Sequence, residues 1–323
     1  GLLCAFQRGE KYCHSPYTSA DAHYIYSKPR VNMLHCNILI AKRRILSQTA
    51  LTNAGRSRGR RGNIRMYEEL ELNRREPRHP RLLNTLTELP RALFEVGHLL
   101  ASSPSFVLAP RGDGHPVLLM PGFMASDNSL IGLKNYLTLL GYRAETWGLG
   151  RNMGKPELLF EQLPLKLQDL GEKYDQPVSL IGQSLGGVFA RELARTFPDL
   201  TRQVITLGSP FGATDSGIAI RLLQRLFENT SGKTVDEMRL LMEQQNVKMP
   251  LEVPMTAIYS KDDGVVNWQI CRETEEDHQT QNIEVNGSHC GMGFNAVIYH
   301  ILADRLAQAA DGWSKFKGCS LMS

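Results

Sequence analysis

Pro177–Arg191, PVSLIGQSLGGVFAR, sets a serine among glycines between two apolar runs. Pro177–Ile181 has the continuous apolarity of a short buried strand, and Leu185–Leu193 reads as the start of a helix. Gly182-Gln183-Ser184-Leu185-Gly186 lies at the junction. A corner that tight calls for residues without a β-carbon beside the serine. Gly-x-Ser-x-Gly between a strand and a helix is the pattern that holds a serine hydroxyl out from a strained turn as a nucleophile. A surface Gly/Ser turn is the plainer reading. The choice depends on whether the chain also supplies a base, an acid and an oxyanion site.

Outward from this stretch, strands and helices alternate. Pro116–Met120 reads as a strand, Asp127–Leu140 as a helix ended by Gly141, and Tyr142–Trp147 as a strand. Glu157–Tyr174 reads as helical despite Pro164; Val178–Ile181 is the strand before the serine and Leu185–Thr196 the helix after it. Gln203–Leu207, Pro254–Tyr259 and Asn282–Val285 are further strands, and Asn295–Ala309 a final helix. Nearly continuous apolar strands alternating with helices predict an α/β fold, a mainly parallel sheet with helices on both faces. The stretch 214–253 breaks the rhythm. Its helical segments IAIRLLQRLFENT and DEMRLLMEQQNVK read as a small helical cap at the C-terminal end of the sheet, where ligands bind; a connecting helix pair without a gating role is the alternative. Before the alternation, Arg81–Leu100 has apolar residues at helical spacing around Pro90 and reads as an amphipathic helix, or pair of helices, packed on the domain rather than lying in a membrane.

The serine needs a base and the base an orienting carboxylate. On this kind of turn the chain order is Ser, then Asp or Glu, then His. Three histidines follow Ser184. His278 lies in the polar run ETEEDHQTQ, His300 lies inside the last helix, and His289 lies in the glycine-flanked loop NGSHCG after a strand. His289 is therefore the expected base. The acid should follow the strand ending at Tyr259, where Asp262 and Asp263 are adjacent. The spacing to Val266, which turns back into the fold, selects Asp263. Its carboxylate would accept from Nδ1–H and leave Nε2 to take the Ser184 proton. The oxyanion donors expected are the backbone N–H of Leu185 and, from the loop Leu119–Met124, that of Phe123, with Met124 as the alternative.

VLLMPGF, GQSLGG, TLGSPFGAT, YSKDDGVV and GSHCG together resemble the α/β-hydrolase superfamily, on its bacterial lipase/esterase side. GDGHPVLLMPGFMASD and WGLGRNMG are similar to bacterial hydrolases distantly related to deacylases of lipid-anchored inositol. The resemblance covers about Arg81 to Trp313. It implies the α/β-hydrolase fold and a serine esterase with Ser184, Asp263 and His289 as its triad. Gln183 stands where many members have His, and Pro121-Gly122-Phe123 replaces the commoner His-Gly.

Charge divides the chain. Residues 1–65 carry twelve Lys/Arg and two Asp/Glu; the remainder carries 25 and 31. The first part reads as a disordered basic leader preceding a catalytic domain at 66–323. It is an arm for nucleic acid or anionic lipid, a transit segment, or translated sequence upstream of a start at Met66; the composition break at Met66 favours the last. The net acidity of the body argues against a nucleic-acid partner. No long apolar run predicts a transmembrane span, and GLLCAFQRGE lacks the order of a secretory signal, so a cytoplasmic setting is expected. Six cysteines, with no zinc-type spacing, predict no metal site. Cys271 and Cys290 read either as a disulfide tying the acid segment to the base loop or as two free thiols.

No Lys/Arg cluster surrounds the motif loops, whereas Met124 and Phe211 beside them are apolar and are expected to touch substrate. A small-molecule or lipid-like ester with an apolar acyl chain is the expected substrate, with transient contact to a lipid interface and no cofactor. An acyltransferase or thioesterase with the same triad is the alternative; a non-catalytic binding protein of the same fold ranks below both.

Overall fold

The computed structural model describes residues 80–211, 227–238, 240, 251–274, 276–310 and 312–318. The basic leader and most of the expected cap lie outside the described residues. Six strands form one sheet: β1 Pro116–Met120, β2 Arg143–Thr146, β3 Val178–Gln183, β4 Thr201–Leu207, β5 Met255–Tyr259 and β6 Thr280–Glu284. Their order is β2-β1-β3-β4-β5-β6, and every neighbouring pair is parallel. The principal helices are α1 Leu82–Leu86, α2 Glu88–Ser102, α3 Ile131–Leu139, α4 Leu163–Tyr174, α5 Leu185–Thr196 and α6 Ala296–Leu306.

Both faces of the sheet are dry because alternate residues of each strand enter different cores. Val117 and Leu119 of β1 join Leu133 and Leu137 of α3 and Leu302 of α6. Leu118 and Met120 join Leu167 of α4 and Phe189 and Leu193 of α5 on the other face. β1, buried from end to end, is apolar at every position, whereas the buried polar Ser179 of β3 and Gln203 of β4 are hydrogen-bonded.

Several boundaries differ from the expected ones for local reasons. β4 begins at Thr201, because ladder pairing of Val178 with Thr201 carries the strand beyond its apolar run. Pro164 falls in the first turn of α4, where its missing N–H costs no bond, and a π-helical turn at Leu158–Gln162 precedes it. Asn295 is the cap of α6 rather than its first residue: its side chain accepts from the amides of Val297 and Ile298 at 3.0 and 3.4 Å. Arg81–Leu100 is a pair of helices broken at Thr87, with Pro90 in the first turn of the second.

The largest departure is the orientation of that pair. Glu88, Arg91 and Glu95 of α2 reach inward to loop backbones and side chains, while Leu89, Leu93 and Phe94 are exposed. The apolar side expected to pack on the domain faces outward. Among the described residues no helix is long and apolar enough to cross a membrane.

The sheet and α5 meet where the chain is most crowded. A β-carbon on Gly186 would lie 2.4 Å from the Met120 carbonyl oxygen and 2.5 Å from that of Pro121. One on Gly182 would lie 2.3 Å from the Gly187 nitrogen. These neighbours are backbone atoms of packed elements and cannot swing aside. Gly186→Ala is expected to cost about 1–3 kcal/mol of stability in urea denaturation; an unchanged midpoint would mean that α5 and β1 leave room for a methyl group.

Candidate active site

Ser184 stands at the β3–α5 junction with φ 52° and ψ −124°, a left-handed conformation that non-glycine residues rarely adopt. Its amide donates to the Leu207 carbonyl at 2.8 Å, which fixes the corner to β4. The hydroxyl lies 3.1 Å from His289 Nε2. His289 Nδ1 lies 2.6 Å from Asp263 Oδ2, and Asp263 Oδ1 accepts from the amides of Val265 and Val266 at 2.8 and 2.7 Å. With Nδ1–H donating to the carboxylate, Nε2 is left as an acceptor for the serine proton. The loops after β3, β5 and β6 thus bring together Ser184, Asp263 and His289. Asp262 is exposed, and its amide donates to Ser260 Oγ at 3.1 Å. His278 is exposed, and His300 bonds Ser105 Oγ at 3.0 Å on the far side of α6.

Chain order, sheet order and the serine corner agree. The fold is that of an α/β-hydrolase.

The loop after β1 passes over the serine: a β-carbon on Gly122 would stand 3.2 Å from Ser184 Cβ. Among the described residues neither the Phe123 nor the Leu185 amide has an acceptor. Met124, the alternative donor, is occupied. It has φ 60°, and its amide donates to the Asn152 carbonyl at 2.7 Å. Asn152 is buried, donates from Nδ2 to the Pro121 carbonyl at 2.8 Å, and bonds the Ala125 carbonyl through its own amide at 2.8 Å. It staples the loop at both ends. Phe123 stacks obliquely on Phe227, ring centroids 5.6 Å apart, and Thr230 donates to the Met153 carbonyl at 3.2 Å. The described part of the 214–253 insertion therefore rests on this loop and on the turn beside it. Phe211, expected beside the acyl chain, has its ring 4.6 Å from the Arg191 guanidinium, two turns along α5 from Ser184. Gln183 donates to the His289 carbonyl at 3.2 Å, so it supports the base loop.

Two glutamates that no local motif marks hold the site from α2. Glu88 is buried. Its Oε1 accepts from the Gly264 amide at 2.7 Å and the His289 amide at 3.1 Å, and Oε2 accepts from the Cys290 amide at 3.1 Å. Arg91 pairs with it at 2.9 Å and donates to the Asp262 carbonyl at 2.9 Å. One carboxylate thus joins the acid loop to the base loop. Glu95 accepts from the Ser288 amide at 2.6 Å and hydroxyl at 3.0 Å, and burial raises its carboxyl above the usual range.

Burial pushes the His289 imidazolium down, but Asp263 and, beyond it, Glu88 outweigh this and hold its pKa above the ordinary histidine value. Cys271 and Cys290 are both free, which settles the disulfide alternative against the bond. Cys271 is buried against Tyr259, Val266 and Ile270 and donates to the Asn267 carbonyl at 3.4 Å. Local burial and then Glu88 push the Cys290 thiol up to about 11, so it is a weak nucleophile at neutral pH. Among the described residues no cluster of three or more His, Cys, Asp or Glu is placed to hold a metal.

No family model and no curated protein matches the chain. Solved structures do. A Bacillus licheniformis lipase in mature form is 15% identical, with 61% of this chain and 94% of that one covered at a TM-score of 0.48. A Paleococcus ferrophilus monoacylglycerol lipase is 15% identical, with 59% and 96% covered at 0.44. The thioesterase domain from the curacin biosynthetic pathway is 15% identical, with 60% and 92% covered at 0.40. The assignment of the fold rests on the chain's own sheet order and serine corner.

Glu88→Gln removes a negative charge near the imidazole while keeping one acceptor oxygen. Histidine titration by NMR should show His289 with a lower pKa than in the wild type, because the lost carboxylate favoured the imidazolium. An unmoved His289 pKa would show that Glu88 serves the loops only as a mechanical tie.

Proposed function

We propose that the chain is a serine-dependent carboxylic-ester hydrolase that forms an acyl-enzyme from an ester with an apolar acyl group. The observation that carries this reading is Ser184 Oγ at 3.1 Å from His289 Nε2, on a corner held at positive φ. His289 takes the hydroxyl proton as Oγ attacks the ester carbonyl carbon. The carbonyl oxygen becomes an oxyanion held by the Phe123 and Leu185 amides, each worth about 3–4 kcal/mol of transition-state stabilisation. As the intermediate collapses, the C–O bond to the alcohol breaks and the imidazolium protonates the leaving oxygen. Water, deprotonated by the same imidazole, then attacks the acyl-enzyme. The carboxylic acid leaves and Ser184 regains its proton. Asp263 accepts from Nδ1–H and stabilises the imidazolium. The sequence of steps needs no metal or organic cofactor.

Apolar substrate preference is supported by Phe123, the exposed Met124 and the buried Phe227, which gather at the same loop. The rates of hydrolysis across a series of p-nitrophenyl esters from acetyl to palmitoyl test the proposal. Wild type should turn over at least one member, and Ser184→Ala should lose about 10⁴-fold or more of that rate while staying folded. In the wild type, kcat/KM should rise with pH through a midpoint above the usual histidine value of about 6.5, because only neutral His289 can act as base. Hydrolysis that survives in Ser184→Ala would overturn the nucleophile. Acyl transfer to an alcohol or thiol that outruns transfer to water would replace a hydrolase by a transferase.

A further inference from the structure

We propose that Asn152, with Arg151 beside it, is the positioning residue of the oxyanion site: the two hold the turn that presents the Phe123 amide. The role rests on the ester-hydrolase reading, in which that amide is one of two donors to the oxyanion. The turn Gly122-Phe123-Met124-Ala125 is closed by the Ala125 amide, which donates to the Gly122 carbonyl at 3.1 Å. Its third residue, Met124, has φ 60°, whereas Phe123 is not at positive φ. That is the type II pattern, whose third position favours glycine or asparagine. A methionine there is opposed by its own β-carbon and persists only where its neighbours over-determine it.

Residues 151 and 152 supply those neighbours. The Met124 amide donates to the Asn152 carbonyl at 2.7 Å, and Arg151 Nη1 donates to the Met124 carbonyl at 2.6 Å. The Asn152 amide donates to the Ala125 carbonyl at 2.8 Å. One dipeptide thus grips the strained residue on both sides. The Asn152 side chain fixes where that grip sits. It is fully buried; Nδ2 donates to the Pro121 carbonyl at 2.8 Å, and Oδ1 accepts from the Gly154 amide at 3.1 Å. Pro121 is the fixed end of the loop, since a β-carbon on Gly186 in the first turn of α5 would lie 2.5 Å from the same carbonyl oxygen. Asn152 therefore sets the turn against α5, the helix that begins directly after Ser184.

The consequence falls on Phe123. The Gly122–Phe123 peptide is planar and trans, so with its carbonyl directed at the Ala125 amide its N–H points away from the turn. The loop passes close over the serine: a β-carbon on Gly122 would stand 3.9 Å from Ser184 Oγ. A donor stabilises an oxyanion best when it is aimed before the charge develops. The bonds from residues 151 and 152 reach Pro121 on one side of that peptide and Met124 and Ala125 on the other. Asn152 is buried and acts through the turn, not on the substrate.

The test measures kcat and KM of the full-length wild type and Asn152→Ala on a p-nitrophenyl ester and on its thionoester, in which sulfur replaces the carbonyl oxygen. Sulfur is a weak hydrogen-bond acceptor, so aimed donors favour the oxygen ester. The ratio of the two rates does not depend on how much of the protein is folded. Asn152→Ala should lose about tenfold or more of kcat on the oxygen ester, with KM changed by less than about twofold. It should lose less on the thionoester, so the ratio narrows. Equal losses on both esters, or no loss, would overturn the positioning role. Arg151 is exposed, so Arg151→Ala removes one bond to Met124 without touching the core. Its ratio should narrow in the same sense but less. Should Asn152→Ala fail to fold, an unchanged ratio in Arg151→Ala would overturn the proposal. Hydrolysis of neither ester by the wild type would instead overturn the ester-hydrolase reading, and the role of Asn152 with it.

Discussion

The closeness of α5 to β1 and β3 is the constraint on which the site depends. Three glycines, Gly182, Gly186 and Gly187, let the helix start almost on top of the strands; a β-carbon on any of them would fall within 2.4 Å of a neighbouring atom. With the helix that close, the residue between strand and helix has little room, and Ser184 takes a conformation that costs about 1–3 kcal/mol. The packing outweighs that cost. Phe189 and Leu193 on α5 are almost wholly buried, and each contributes about 1.5–3 kcal/mol. The strain persists because the helix is fixed by its core, not by the corner.

The serine is placed locally, but its partners are not. Asp263 and His289 sit on separate loops after β5 and β6, and loops at a sheet edge drift unless something ties them. Ser260 Oγ donates to the Gly287 carbonyl at 2.8 Å, one tie between them. Glu88 is the stronger one, since a single carboxylate accepts from backbone amides on both loops, and charge-assisted bonds exceed neutral ones. Thr85 adds a bond to the Gly264 carbonyl at 2.6 Å, and a β-carbon on Gly264 would meet the Asn84 backbone at 2.4 Å. The segment ahead of the first strand is thus part of the site's frame.

Short-range placement was legible in the sequence. The serine corner, the histidine in NGSHCG and the aspartate before Val266 each carry local signals: glycine spacing, a strand end, a turn. The alternation of apolar strands with helices sufficed for the parallel sheet. What escaped was non-local. Glu88 and Asn152 act on backbones 176 and 31 residues away; Asn152 lies in the WGLGRNMG string, but no local spacing gives either residue its role. The spacing of Arg81–Leu100 defined a polar and an apolar face correctly but not which one met the protein. Helical period identifies faces; the loops above the sheet, with their unpaired amides, decided that the carboxylates turned inward.

The molecule also holds the same three residue types in a second place. His115 bonds Asp113 through Nδ1 at 2.5 Å and Ser179 Oγ through Nε2 at 2.8 Å. Distance alone would rank this array equal to the first. Its setting separates the two. Ser179 lies inside β3 with no exposed surface, and His115 has none either, so no carbonyl can reach the hydroxyl. Burial lowers the His115 pKa despite the aspartate, and Asp113, opposed by its own burial, is held at about 2 by His115 and Arg202. This array satisfies buried polar groups at the N-terminal ends of β1 and β3. The other stands at the C-terminal ends of the strands, where the serine is turned out of the ladder and, among the described residues, two amides beside it lack acceptors. A nucleophile requires that exposure and those unused donors as much as it requires the three side chains.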